Sequence, residues 1–183
     1  RWWTHRDELR TEMTVHDLLE RMAGDPTDDI YGVGRNDLLE SIPALQREIG
    51  TLPGLSTGTP HARLWIGPAG TVTPVHHDQS AAWLVQRVGS KRVWLASPLE
   101  TALFESMDGL FNRIDPREPQ EGDASEVTWW ETVIGPDDAV FLPAGWWHMV
   151  VSETPSVSVS LGHFRWPNNV EWYAPGRHAP RRV

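Results

Sequence analysis

The sequence predicts a mainly β protein, a double-stranded β-helix of the jelly-roll type, with an N-terminal helical segment ahead of it. Three observations predict it. From residue 61 onward about eight short apolar segments follow one another, separated by turn residues. One of them, Ser156-Val157-Ser158-Val159-Ser160-Leu161, alternates strictly between polar and apolar, the two-residue period of a half-buried strand. Residues 1–50 carry helical spacing instead, and the period changes at the stretch 51–60, rich in Pro, Gly, Ser and Thr.

The elements follow in chain order. Thr14-Val15-His16-Asp17 resembles a capping box, with Asp17 in the place of the usual Glu, and Leu18, Leu19 and Met22 continue an apolar helical stripe that Gly24-Asp25-Pro26 ends. Asn36 is placed to cap a second helix carrying Leu38, Leu39, Ile42, Leu45 and Ile49, interrupted at Pro43. The expected strands are Ala62–Ile66, Val72–Asp78, Trp83–Val88, Arg92–Ala96, Val127–Ile134, Ala139–Leu142, His148–Val151 and Ser156–Phe164. Gly89-Ser90 predicts a hairpin between the third and fourth. Residues 98–106 suggest a short helix and 107–126 a long polar loop. The division expected is a helical lead-in over 1–60 packing on the barrel, a jelly-roll domain over 61–166, and an irregular tail over 167–183. In that tail Pro167, Pro175, Gly176 and Pro180 oppose a helix.

The totals exclude several functions. A chain of 183 residues is long enough for one domain that buries roughly two-thirds of its unfolded surface. A net charge of −9 argues against generic nucleic-acid binding, which needs a basic face. No run of about 18 apolar residues is present, so no membrane span is encoded. The absence of cysteine removes disulfides, thiolate metal sites and cysteine nucleophiles, and fits a soluble cytoplasmic protein. No Gly-x-Ser-x-Gly elbow or phosphate-cradling glycine loop occurs. Eleven tryptophans stand against two tyrosines and four phenylalanines. The doublets Trp2-Trp3, Trp129-Trp130 and Trp146-Trp147 cannot be buried on a single strand face, so some aromatic surface is expected outside the core.

Chemistry concentrates in Val72-Thr73-Pro74-Val75-His76-His77-Asp78, answered by Pro143-Ala144-Gly145-Trp146-Trp147-His148. Two imidazoles and one carboxylate form the ligand set that holds ferrous iron with coordination positions left open. Residues two apart on a strand share a face, so His76 and Asp78 can point into a barrel while His77 points away. His148 lies 72 residues beyond His76 and has to be delivered by the fold. Pairing His77 with Gln79 fails, because a neutral amide is a poor ligand beside a carboxylate. A structural zinc site would be closed by four ligands and rich in cysteine. In Lys91-Arg92-Val93-Trp94-Leu95-Ala96, Lys91 shares a face with Val93 and Leu95. A lysine there either points inward and needs an anion, or snorkels to solvent beside the Gly89-Ser90 turn; the residues alone leave both open.

Leu64–Asp78, Gln86-Arg87-Val88-Gly89-Ser90-Lys91-Arg92, and Ile134–Pro143 with Trp146-Trp147-His148 resemble the JmjC/cupin-8 family of iron and 2-oxoglutarate oxygenases. Within it they look most like the branch containing the factor-inhibiting-HIF asparaginyl hydroxylase. Ile30-Tyr31 and Leu38–Ile49 are similar to that branch's pre-barrel segment, and the likeness spans residues 13 to 164. The resemblance implies a cupin barrel, Fe(II) on His76, Asp78 and His148, and 2-oxoglutarate as cosubstrate. It further implies Lys91 on the distal carboxylate of 2-oxoglutarate, with Thr73 and Tyr31 hydrogen-bonding the same group. The family's first strands would fall before residue 1, and the chain opens on Arg1, so further chain is expected at that end. Two positions depart from the pattern: Ala82 stands where the branch often has Asn, and Gly162-His163 stand where another amide is expected.

The implied activity is a dioxygenase hydroxylating a peptide or protein side chain, with O2 consumed and succinate and CO2 released. Alternatives are a hydroxylase of a free amino acid or small natural product, and a metal-binding cupin module without catalysis. Neither a nucleic acid nor a membrane is an expected partner. Trp146 and Trp147 directly precede the distal ligand, so at least one is expected to line the pocket. His163 either enters that pocket or is an ordinary polar strand residue. The 107–126 segment is the candidate for substrate capture.

Overall fold

The computed structural model describes residues 6–34, 36–49, 62–104, 107–108 and 110–163. The expected loop over 51–60, the tail over 167–183 and the doublet Trp2-Trp3 lie outside the described residues. Among the described residues four short helices come first: α1 (Arg6–Leu9), α2 (Val15–Met22), α3 (Leu38–Ser41) and α4 (Pro43–Ile49). Ten strands follow: β1 (Ala62–Gly67), β2 (Val72–His77), β3 (Ala81–Val88), β4 (Lys91–Ala96), β5 (Met107–Asp108), β6 (Phe111–Asn112), β7 (Trp130–Ile134), β8 (Ala139–Leu142), β9 (Trp147–Ser152) and β10 (Ser156–His163). The segments Pro98–Leu103 and Gly122–Glu126 are 3-10 helices.

The strands form two antiparallel sheets, a four-stranded one in the order β1-β10-β3-β8 and a six-stranded one in the order β5-β6-β2-β9-β4-β7. This is the jelly roll expected from the sequence. The barrel interior is closed by Leu84 and Leu142 from the smaller sheet against Val93, Ile134 and Val150 from the larger. The outer face of the larger sheet carries a second apolar cluster, Val75, Trp94, Ala96, Phe104, Val127, Trp147 and Met149. The smaller sheet is covered by α3 and α4, with Leu39 buried against Leu64, Val85, Val159 and Leu161. Leu18 and Met22 of α2 pack on Ile66, and each such burial stabilises by roughly 1.5–3 kcal/mol.

Local chemistry explains the helix ends. The Thr14 hydroxyl accepts from the Asp17 amide at 3.1 Å and starts α2. Pro43 separates α3 from α4, as its missing N–H requires. Asn36 acts one residue ahead of the cap position: Asp37 occupies that position in a left-handed conformation, while the Asn36 side chain accepts from the Leu38 amide and donates to the Leu64 carbonyl.

Two expectations are corrected. Gly89-Ser90 does not close a hairpin, because β3 pairs with β10 and β8 whereas β4 pairs with β9 and β7. The turn carries the chain from one sheet to the other. Gly89 is required there: its φ is +71°, and a Cβ would lie 2.1 Å from the Pro155 carbonyl oxygen. Residues 107–126 are not loop throughout, since β5 and β6 extend the edge of the larger sheet beside β2.

Candidate metal centre

The centre is built by strand alternation. β2 and β9 pair so that His76 faces His148 and His77 faces Trp147. Residues directly opposite in an antiparallel pair lie on the same face. His76 and His148 therefore share the barrel interior, with ring centroids 4.1 Å apart, while His77 packs edge-on against Trp147 on the outside at 4.5 Å. Asp78 follows the last residue of β2. One ligand atom from each of His76, Asp78 and His148 lies within 4.8 Å of the others. Nε2 of His148 stands 3.9 Å from an Asp78 carboxylate oxygen.

The backbone orients both imidazoles. Nδ1 of His76 lies 2.8 Å from the Pro74 carbonyl and Nδ1 of His148 lies 3.0 Å from the Trp146 carbonyl. Donation from Nδ1 leaves Nε2 of each ring with its lone pair for a metal, the usual outer support of a histidine ligand. The turn carrying Trp146 is anchored in its own way. Gly145, at φ +81°, donates its amide to the Asp78 carbonyl at 2.8 Å, which ties the two halves of the motif together. Burial, reinforced by the adjacent His148, pushes the His76 imidazole down to about 3, and burial pushes His77 down to about 4. Near neutral pH both rings are uncharged, so His76 is ready to ligate without losing a proton.

A bulge in β2 brings Thr73 into the same face. Thr73 pairs with Val150 and His76 with His148, so three residues on one strand match two on the other. Farther along the same interior face, Lys91 pairs with Ser152 on β9 and Ile134 on β7. From His148 to Ser152 is four residues, roughly 13 Å along the strand. Lys91 is 1% exposed, and its ammonium donates to the Tyr31 hydroxyl at 3.2 Å while lying over that ring. Among the described residues no carboxylate pairs with it. It is also the chain's one lysine against fifteen arginines, so the only ammonium side chain is kept off the surface. Thr71, Ser152 and Ser156 form a buried hydroxyl chain on neighbouring positions, with Thr71 to Ser152 at 2.7 Å and Ser152 to Ser156 at 3.0 Å.

The structure thus brings His76, Asp78, His148, Thr73, Lys91 and Tyr31 to one interior. It moves Trp147 elsewhere. Trp147 is fully buried in the outer cluster, stacked on Phe104 at 4.5 Å and donating its indole N–H to Thr101 at 3.0 Å. Of the doublet expected to supply at least one pocket residue, Trp147 drops out: being adjacent to an inward ligand on a strand places a side chain on the opposite face. Trp146 is half-buried near the ligands. His163 ends β10 opposite Ala81, and the two departures from the amide pattern, Ala82 and Gly162, face each other directly.

Two aromatic positions escaped the sequence reading. Phe111 pairs with His76 and stacks on it at 5.2 Å. Trp130 pairs with Leu95, which itself pairs with His148, so Trp130 belongs to the same cross-strand row. The signal available was parity within the doublets, together with a strand hidden in the polar 107–126 segment.

Two histidines and one carboxylate brought together inside a double-stranded β-helix could hold a metal ion, the arrangement of a metal-binding cupin. A family described as the cupin-like domain matches residues 3–165, and the chain belongs to it, as the JmjC/cupin resemblance of its motifs led one to expect. A Jumonji C domain-containing protein 5 from Drosophila melanogaster is 35% identical over 165 residues, covering 80% of this chain and 41% of the relative. A lysine-specific demethylase 8 from Xenopus tropicalis is 29% identical over 161 residues, covering 81% of this chain and 36% of the relative. The chain therefore spans about two-fifths of the length of these relatives. A solved structure of YcfD, a ribosomal oxygenase from Escherichia coli, with cobalt and 2-oxoglutarate aligns with a TM-score of 0.43 at 21% identity, covering 71% of this chain and 29% of that one.

Proposed function

We propose that the chain is an Fe(II)- and 2-oxoglutarate-dependent dioxygenase that hydroxylates a peptide or protein side chain. The observation that carries the reading is Lys91: a fully buried ammonium, on the same interior face as the histidine ligands, with no carboxylate partner among the described residues. A buried charge is retained when a ligand of opposite charge completes it. A dicarboxylate that spans from the metal ligands to Lys91 supplies that charge.

When bound, iron and 2-oxoglutarate would supply the oxidising chemistry: one atom of O2 enters the substrate hydroxyl and the other is retained in succinate as CO2 is released. The chain's own residues bind and orient. His76, Asp78 and His148 would hold the iron on one side and leave the opposite side free. Lys91 holds the distal carboxylate by charge, Tyr31 orients the ammonium by accepting a hydrogen bond from it, and Thr73 stands on the same face to donate a hydrogen bond from its hydroxyl. The apolar layer of Leu84, Val93, Leu142 and Val150 keeps bulk water from this space. The names of the relatives support a protein substrate, since they speak of a lysine-specific demethylase.

A second reading, a metal-binding cupin without 2-oxoglutarate turnover, is favoured by one observation: Ala82 and Gly162 face each other where amides are expected to orient the cosubstrate. The two readings part in one experiment. Fe(II)-loaded protein with 2-oxoglutarate and O2 is offered a proteome-derived peptide mixture, and succinate is followed together with addition of one oxygen atom to peptides. Succinate formed in step with peptide oxidation supports the dioxygenase; iron retained with no succinate above the metal-free control supports the binding module.

A further inference from the structure

Strand alternation splits each described tryptophan doublet. Trp147 and Trp129 face the outer cluster, where Phe104 lies 4.5 Å from the first and 5.9 Å from the second. Their neighbours Trp146 and Trp130 turn the other way and meet each other, with centroids 5.4 Å apart and planes tilted by 47°. Trp130 lies on the interior face of the larger sheet yet is 49% exposed. It sits two strand spacings from His148, across Leu95, roughly 10 Å by backbone geometry. The Trp146 carbonyl is the acceptor that orients His148. An indole pair, one ring exposed and the other half-buried, is thus fixed beside the metal ligands by the same backbone that sets one of them.

We propose that Trp130 and Trp146 form a platform at the mouth of the site that receives a planar side chain of the substrate, an aromatic ring or a guanidinium, through its π face. The inference rests on the metal-centre reading above and adds which residues select the substrate. Indole faces are large and rigid, and each favours flat or cationic partners over aliphatic ones of equal size. The pair is prepared for this: each ring keeps free area, and neither indole is drawn into the core as Trp129 and Trp147 are. A flat group lying on the pair is held along the row that runs Trp130, Leu95, His148, His76, and so within reach of the metal.

The test uses Mn(II)-loaded protein with 2-oxoglutarate, without turnover, and three probes: N-acetyl-argininamide, N-acetyl-phenylalaninamide and N-acetyl-leucinamide. Paramagnetic broadening of each probe by Mn(II) measures its occupancy close to the metal. One or both planar probes are expected to broaden about fivefold more than the leucine probe, the size expected of one aromatic contact. The excess should vanish in Trp130→Ala and Trp146→Ala, return in part in Trp130→Phe, and leave Mn(II) affinity as in the parent protein. Which planar probe broadens identifies the ring or the guanidinium. Equal broadening of all three probes, or a planar excess that survives both alanine variants, overturns the platform while the metal reading stands. Failure of the parent protein to bind Mn(II) overturns both together.

Discussion

Replacing Lys91 by methionine should cost the cosubstrate-bound protein far more than the free one. Methionine comes close to the length of the lysine stem and removes the ammonium, both its charge and its donors. In the free protein the ammonium is 1% exposed with one described partner, the neutral Tyr31 hydroxyl. Buried charge replaced by apolar volume is commonly neutral or stabilising by about 1–4 kcal/mol. Losing one hydrogen bond to Tyr31 takes back about 1 kcal/mol. The net expectation runs from a loss of about 1 to a gain of about 3 kcal/mol, and each kcal/mol shifts Tm by about 2–4 °C in a domain of this size. With 2-oxoglutarate the substitution is a clear loss. Removing one partner of a buried charge pair costs about 2–5 kcal/mol, so Kd should rise by roughly 30- to several-thousand-fold. Differential scanning calorimetry and isothermal titration of the Mn(II) protein measure the two halves. Because Lys91 is the only lysine, selective 15N-lysine labelling gives one amine signal, and that signal should shift when 2-oxoglutarate binds. A free protein destabilised by several degrees with cosubstrate affinity unchanged would refute the reasoning, and Lys91 would then be a structural cation satisfied by Tyr31.

Three further outcomes are expected. The metal-free protein should lose stability on acidification between pH 6.5 and about 4, because burial lowers the folded-state pKa of His77 to about 4 and the unfolded chain takes up the proton first. By pH 5 that loss is about 2 kcal/mol, with His76 acting in the same direction over a window reaching about 3; urea midpoints at pH 7 and pH 5 read it, and His77→Gln should flatten the slope. Trp147→Ala should cost about 3–5 kcal/mol of stability by opening a cavity in the outer cluster beside Phe104, so a variant as stable as the parent in urea would place that ring outside the core. Gly89→Ala should destabilise by about 2 kcal/mol or more, since the new Cβ meets the Pro155 carbonyl and the positive φ opposes any side chain; an unchanged thermal midpoint would contradict the sheet-to-sheet turn.

How much was legible in the sequence follows from which physical signals are local. The strands Ala62–Gly67, Ala139–Leu142 and Ser156–His163 could be read because an alternating or short apolar run needs no partner to be recognised. His76 and Asp78 could be read from their spacing on one strand, and His148 from its motif. Thr73 stood on the family likeness alone, because strict alternation from His76 assigns it to the wrong face; the bulge that returns it to the interior exists only in the pairing of β2 with β9. The Gly89-Ser90 turn has hairpin chemistry but joins two sheets, and which sheet a strand enters is a long-range decision. Which member of the Trp146-Trp147 doublet faces the ligands is set by alternation from His148, which sends Trp147 to the outer cluster. Trp130 and Phe111 became visible only once the register aligned them with the ligands.

The most direct test of the central claim is an anaerobic titration of the Fe(II)-loaded protein with 2-oxoglutarate, following the visible charge-transfer absorption of the iron–cosubstrate complex. The account predicts a saturable band in the parent protein, shifted to far higher 2-oxoglutarate concentration in Lys91→Met and absent in His148→Ala. Iron bound at stoichiometry with no band at any 2-oxoglutarate concentration would contradict it, and would leave a cupin that holds metal without the cosubstrate.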